Sequence, residues 1–269
     1  MHPTKPAIDT QVHLIDPKRC PFHEPPAGYL PKSDEVGTLA SLIRTLDAHN
    51  VERAVLVPAS VYGSDNRILI DAVRRHPDRF RAIATVSAKR ELQDAVEALG
   101  VVGVRLNLVD GKTNPSDDAG FAQHIVDAGL ILQLQAAPGL AHHLLDTMDR
   151  PNAPVVLDHF GRADLSKTAG DFDSLLALSQ RPNTYLKASA AFRLNHHPIS
   201  GVSNEQGQRR LIEAFGRKRV LWGSDWPFIN FTGPKPTYDA TLNTLTSLMG
   251  ADWQTAADAN AQALFGWPS

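Results

Sequence analysis

The feature that most constrains this chain is a count. It has eight short apolar runs of strand-like composition, and from the first onward an amphipathic stretch precedes each next run. The strand-like runs are 7–14, 52–58, 80–87, 101–108, 131–138, 154–160, 183–190 and 219–225. Helical periodicity appears near 35–49, 66–76, 90–99, 118–129, 139–149, 169–180 and 204–217, and 236–249 and 251–265 close the chain. Boundary signals are plain at several of these, such as Asn114-Pro115-Ser116 before one helix and Gly100, Gly129 or Gly216 after others. An eightfold β-then-α alternation predicts an α/β fold, a (β/α)8 TIM barrel, with residues 1–269 as one domain. An open doubly wound sheet fits poorly, because neither a GxGxxG turn nor a P-loop is present.

Composition removes several functional classes. The formal net charge is −2 and no basic stripe is available to neutralise phosphates, which argues against nucleic acid or a membrane surface as partner. A single cysteine, Cys20, excludes an internal disulfide and any multi-cysteine metal site. The opening residues lack a signal peptide's apolar core and no stretch is long enough to span a bilayer, so a cytoplasmic location is expected. The stretch from Asp16 to Ser33, stiffened by Pro17, Pro21, Pro25, Pro26 and Pro31, reads as a loop after the first strand that could cover a barrel mouth.

A barrel makes its own demand on the sequence: functional side chains belong at the carboxyl ends of the strands. Polar residues collect there. Strand period puts Asp9, Gln11 and His13 on one side of the first run. The second runs into Ser60-Val61-Tyr62-Gly63, the fourth ends in Arg105 and Asn107, and the fifth in Gln133 and Gln135. The sixth ends Asp158-His159-Phe160-Gly161-Arg162, the seventh carries Lys187 and Ser189 with Arg193 beyond, and the eighth delivers Asp225 within Trp222-Gly223-Ser224-Asp225-Trp226-Pro227. Taken singly, each could be a turn, a cap or a satisfied core residue; seven strands placing polar groups at one end point to a site. The pairs His142-His143 and His196-His197 fall in a helix and a loop and read as surface residues.

Asp9-Thr10-Gln11-Val12-His13, Leu157-Asp158-His159-Phe160-Gly161-Arg162 and Trp222-Gly223-Ser224-Asp225-Trp226-Pro227, in this order, resemble the amidohydrolase superfamily of the amidohydrolase-2 type. The closer resemblance is to its lactonase branch, which includes 2-pyrone-4,6-dicarboxylate lactonases and sugar-acid lactone hydrolases and isomerases. It extends over nearly the whole chain, through Ser60-Val61-Tyr62-Gly63 and Gly103-Val104-Arg105-Leu106-Asn107. The resemblance implies a barrel whose last-strand aspartate, here Asp225, acts as general base. In metal-dependent members the first strand supplies a His-x-His pair, with further ligands from later strands. This chain departs from that pattern, with Gln11 in place of the first histidine, Arg105 and Asn107 on the fourth strand and Gln133 and Gln135 on the fifth.

Amides are poor zinc ligands, and a cation at Arg105 opposes a bound dication. No cofactor is therefore expected. The competing expectation is a single zinc at His13, His159 and Asp225, which would be enough ligands for an open catalytic site. The preferred reading is metal-independent hydrolysis of a small anionic lactone, with Asp225 as base and His159 and His13 polarising the carbonyl. Gln11, Ser60, Tyr62, Arg105, Asn107, Gln133, Arg162, Lys187 and Arg193 are then the expected substrate contacts, the cations holding carboxylate. Asp110, close to Lys112, puts a dicarboxylated substrate in question. The alternatives are a lactone isomerase, a zinc-dependent decarboxylase, and a non-catalytic binding barrel.

Overall fold

Each apolar run forms a parallel strand and each amphipathic stretch packs a helix outside it. The computed structural model describes residues 6–22, 29–109, 115–162, 169–194 and 204–268. The strands are β1 (Ile8–Val12), β2 (Arg53–Leu56), β3 (Phe80–Ala84), β4 (Val101–Asn107), β5 (Ile131–Gln135), β6 (Val155–Leu157), β7 (Thr184–Ser189) and β8 (Val220–Gly223). They pair in sequence order in one eight-stranded sheet, every pair parallel. Between them run α1 (Leu39–His49), α2 (Arg67–Arg75), α3 (Lys89–Glu97), α4 (Pro115–Asp127), α5 (Pro138–Asp146), α6 (Ala169–Leu178) and α7 (Asn204–Phe215). Three further helices follow β8: α8 (Tyr238–Leu242), α9 (Thr244–Met249) and α10 (Ala251–Leu264). This is the (β/α)8 barrel that the alternation predicts. No helix among the described residues is long and apolar enough to cross a membrane.

The stretch 236–249, expected as one helix, is two. At the join, Trp222 Nε1 and Thr244 Oγ1 both donate to the Thr241 carbonyl, at 2.9 and 2.8 Å. The indole of β8 thus draws in the last turn of α8, and α9 starts afresh after Asn243.

The barrel closes between β8 and β1 just past the last residue of β8. Asp225 N–H donates to the Gln11 carbonyl and His13 N–H to the Trp226 carbonyl, both at 2.8 Å. Gly223 makes this approach possible, because a Cβ there would lie 2.5 Å from Gln11 Cβ. The β1–β2 register shifts between Asp9 and Val12. That irregularity corrects the expectation that Asp9 shares a face with Gln11 and His13, since a bulge changes the face of every later side chain. Asp9 instead serves the seam. Its carboxylate accepts from the backbone N–H groups of Gln11 and Ser224 (3.1 and 2.9 Å) and from the Tyr238 hydroxyl of α8 (2.9 Å).

Burial raises the Asp9 pKa to about 6, even though its hydrogen bonds to Ser224, Gln11 and Tyr238 pull the other way. The folded chain therefore holds a proton here more tightly than the unfolded chain. That contribution to stability is complete below the ordinary carboxylate value of 3.8 and is lost as pH rises through about 6. Asp9→Asn should flatten this slope: in urea unfolding from pH 4 to pH 8, the variant should gain on wild type by on the order of 3 kcal/mol. Parallel stability profiles for the two proteins would contradict the assignment.

Candidate active site

The barrel interior changes character along its axis. Toward the amino ends of the strands it is filled by Ile8, Val55, Ile83, Ile131, Val156 and Leu221, closed from below by Phe265 and Trp267. Toward the carboxyl ends the same interior holds Gln11, Arg105, Gln133, Asp158 and Lys187, none more than 5% exposed. Charges survive such burial only when paired and hydrogen-bonded. Asp158 is the hub that pairs them. Arg105 Nε donates to it at 2.9 Å, Gln133 Nε2 at 2.9 Å, and Lys187 Nζ lies 3.3 Å away. Lys187 also donates to Gln11 Oε1 at 2.7 Å. Burial alone would raise the Asp158 pKa, but the charges of Lys187 and Arg105 hold it at about 2. For Lys187 the balance goes the other way, and burial keeps its ammonium below the usual lysine range.

Next to this layer lie Asp225, His13 and His159, all at most 3% exposed. Asp225 Oδ2 accepts from Arg193 Nε at 2.6 Å, while Oδ1 lies 3.2 Å from His13 Nε2 and 3.8 Å from His159 Nε2. Burial would raise the Asp225 pKa, yet the Arg193 guanidinium together with the His159 and His13 rings outweighs it and holds the carboxyl well below the usual carboxylate range. His13 has its Nδ1 on the Val57 carbonyl at 2.9 Å and its Nε2 on Asp225. Both partners are acceptors, so the ring is fully bonded when both nitrogens carry hydrogen. His159 has Nδ1 2.9 Å from Ser189 Oγ, and burial lowers its pKa to about 3, so the ring is neutral near pH 7.

The backbone around these groups is unusual. His159, Phe160 and Arg162 after β6, Ala190 after β7, and Asp225, Phe228 and Asn230 after β8 all adopt φ between 50° and 68°. Each such non-glycine residue costs on the order of 1–3 kcal/mol, and strain of this kind concentrates at functional sites. Here it marks one end of three adjacent strands.

These groups line a cavity of about 390 Å³ at the barrel mouth. Asp225, His13, His159, Arg105, Arg162 and Arg193 form its charged and imidazole wall. Val109, Ile229 and Phe231 supply an apolar one, and Ser60, Asn107, Gln135, Asn230 and the Tyr29 hydroxyl, which is buried with no partner among the described residues, add neutral polar groups. The three arginines are not equivalent. Arg193 gives Nε to Asp225 and its two terminal nitrogens to the Ile229 and Asn230 carbonyls, at 2.6 and 3.3 Å. Arg105 gives Nε to Asp158, one terminal nitrogen to the Pro58 carbonyl at 3.3 Å and the other to Gln135 Oε1. Arg162 has no hydrogen bond or ion pair with any described residue; burial, Arg193 and Arg105 all push its pKa down.

Of the residues expected at the site, His13, Ser60, Arg105, Asn107, His159, Arg162, Arg193 and Asp225 border the cavity. Gln11, Gln133 and Lys187 do not. They are fully buried: Lys187 and Gln133 contact Asp158, and Gln11 accepts from both of them. Tyr62 also lies away from the cavity: its hydroxyl accepts from the Asp16 N–H at 2.9 Å and its ring packs on Phe22, anchoring the loop after β1. His142 and His143 sit on α5, half-buried and exposed. Lys112, Asp110, His196 and His197 lie outside the described residues. Tyr29, Ile229, Asn230 and Phe231 were not expected; they come from irregular loops after β1 and β8, where neither period nor motif marks them.

A divalent metal at His13, His159 and Asp225 would share Asp225 with a guanidinium 2.6 Å away and face the charges of Arg105 and Arg162. That donor set suits an anion better than a dication.

The amidohydrolase family model matches residues 8–267. The chain belongs to this family. A 2-pyrone-4,6-dicarboxylate hydrolase of Comamonas testosteroni is 30% identical over 250 residues, covering 86% of this chain and 79% of the relative. A 4-sulfomuconolactone hydrolase of Hydrogenophaga intermedia is 27% identical, covering 81% and 74%. Among solved structures, a probable 2-pyrone-4,6-dicarboxylic acid hydrolase from Acinetobacter baumannii with citric acid bound superposes with a TM-score of 0.80 at 28% identity, covering 97% of this chain and 99% of that one.

The Asp158 hub yields a direct test. Asp158→Asn removes the only carboxylate within reach of both Arg105 and Lys187 among the described residues. It should cost about 3–5 kcal/mol in urea unfolding at pH 7, as breaking a buried pair does. A neutral outcome would mean that these cations need no counter-charge.

Proposed function

We propose that this protein hydrolyses a small anionic lactone without a metal, using Asp225 as general base. The observation that carries this reading is the setting of Asp225. It is ionised, 1% exposed and at the cavity, with one oxygen held by Arg193 and the other turned toward His13 and His159. The relatives named for lactone hydrolysis support the reaction class. The cations beside the cavity support an anionic substrate.

Opening a lactone requires a base for water, donors for the carbonyl oxygen as it becomes negative, and a proton for the departing ring oxygen. Asp225 Oδ1 takes a proton as the water oxygen bonds to the carbonyl carbon. His13 Nε2–H donates to the oxyanion. His159 contributes a second donor if Ser189 gives its hydroxyl hydrogen to Nδ1, which places the ring hydrogen on Nε2. As the tetrahedral intermediate collapses, the ring C–O bond breaks and Asp225 returns its proton to the ring oxygen. Arg193 keeps Asp225 ionised at every working pH, at the cost of basicity. An activated ester tolerates a weak base better than an amide does, which suits the lactone assignment.

Asp225→Asn is expected to lower kcat by roughly 10²–10⁴-fold with substrate binding retained, measured by turnover of a carboxylated lactone and by calorimetry. Full activity in that variant would remove Asp225 from the mechanism. A pH-stat trace separates hydrolysis, which releases one acid equivalent, from isomerisation, which releases none. Chelator-treated protein should keep full activity, and loss restored by zinc would overturn the metal-free assignment.

A further inference from the structure

We propose that Glu35, in the loop after β1, is a positioning residue for Asp225 and acts through one peptide group and Arg193. The proposal rests on the reading of Asp225 as general base. Glu35 ends the short 3-10 turn Ser33–Glu35 and is 2% exposed. A carboxylate is buried so deeply only with partners. Its Oε2 accepts from the Lys32 N–H at 2.7 Å, which closes its own turn. Its Oε1 reaches the segment after β8 and accepts from the Asn230 N–H at 3.0 Å, joining residues 195 positions apart.

The Asn230 N–H and the Ile229 carbonyl belong to the same planar peptide group. Arg193 holds that group from the other side, with a terminal nitrogen donating to the Ile229 carbonyl at 2.6 Å. The peptide therefore stands between a carboxylate and a guanidinium, each bonded to the end that suits its charge. Such a chain polarises the amide and strengthens both bonds. The same guanidinium gives Nε to Asp225 at 2.6 Å and its other terminal nitrogen to the Asn230 carbonyl at 3.3 Å. A guanidinium is planar and its donors are fixed relative to one another, so Arg193 cannot follow a displaced Ile229 carbonyl and keep its bond to Asp225 unchanged. Glu35 thereby fixes the direction from which the base is held.

The segment needs such an anchor. Phe228 and Asn230 adopt φ of 64° and 52°, a conformation that persists only where the surroundings hold it. Phe192 braces the same turn, its ring against Phe228 and Phe231 and beneath the Arg193 guanidinium. Ring packing resists movement but does not orient a peptide plane, and the Glu35 bond does. A second link between the same two stretches, Lys235 Nζ to Asp34 Oδ2 at 2.7 Å, runs between side chains near the surface and bypasses the peptide. It serves as the control.

The Arg193 Nε–H resonance, assigned by its loss in Arg193→Lys, reads the bond to Asp225 directly in a proton–nitrogen correlation spectrum. Glu35→Ala should move this signal upfield and speed hydrogen exchange at the Asn230 amide. Glu35→Gln keeps an acceptor for Asn230 and should restore both most of the way, while Asp34→Ala should leave both in place. In turnover of 2-pyrone-4,6-dicarboxylate, Glu35→Ala should lower kcat about tenfold, the low end for loss of a charged hydrogen bond, and Glu35→Gln should stay within about threefold of wild type. In an Arg193→Lys background the alanine substitution should add less than about a twofold loss, because the path runs through Arg193. An unmoved Nε–H signal in Glu35→Ala overturns the proposal, and so does a loss that Asp34→Ala reproduces or that multiplies fully with Arg193→Lys. Should Glu35→Ala fail to fold, Glu35→Asp, which keeps the charge but is one methylene short, takes its place with the same expectations. If wild type does not open the pyrone, the lactonase reading fails for that substrate, and the Nε–H and amide signals decide the role of Glu35 on their own.

Discussion

Two backbone hydrogen bonds between β1 and the residues after β8 support both the fold and the site. Asp225 donates to Gln11 and His13 donates to Trp226, and those bonds close the barrel. The same bonds bring the side chains of Asp225 and His13 to 3.2 Å. Closure and chemistry are thus one geometric event. Gly223 permits it by having no Cβ, and Asp9 secures it by accepting N–H groups from both sides of the seam.

Behind the seam, desolvation and pairing are set against each other in a small volume. A carboxyl, a guanidinium and an ammonium are buried together, and Asp158 keeps its charge only because Arg105 and Lys187 surround it. Such clusters are rarely the most stable way to fill a core; well-packed apolar side chains of the same volume would often do as well. Their value here lies in direction. The cluster ties Arg105 to Asp158, and the same guanidinium also donates to the Pro58 carbonyl and to Gln135, so this part of the cavity wall is set before any ligand arrives.

Much of this was legible in the residues. Strand and helix periods placed all eight strands and the outer helices, and the polar ends of the strands located the mouth. The misplacements have specific physical causes. Asp9 left the face of Gln11 because one register slip reverses a period of two. The helix expected at 236–249 breaks where an indole from β8 reaches a carbonyl, a contact between segments that no local pattern encodes. Lys187, Gln133 and Gln11 have the composition of substrate contacts but the burial of a foundation. Which partners an arginine finds depends on its neighbours in space, so the pairing of Arg105 with Asp158 and of Arg193 with Asp225 could not be read from the sequence.

Arg193 joins two properties that are usually separate. One edge of its guanidinium sets the charge of Asp225, and the remaining donors hold the main chain at Ile229 and Asn230, which form part of the cavity wall. The position of that loop and the proton affinity of the base are consequently a single mechanical coordinate. A change in the loop that touches no reacting group would be felt first as a change in acidity. For a chain of this kind, the strength of the base is set by loop position as well as by the groups that touch it.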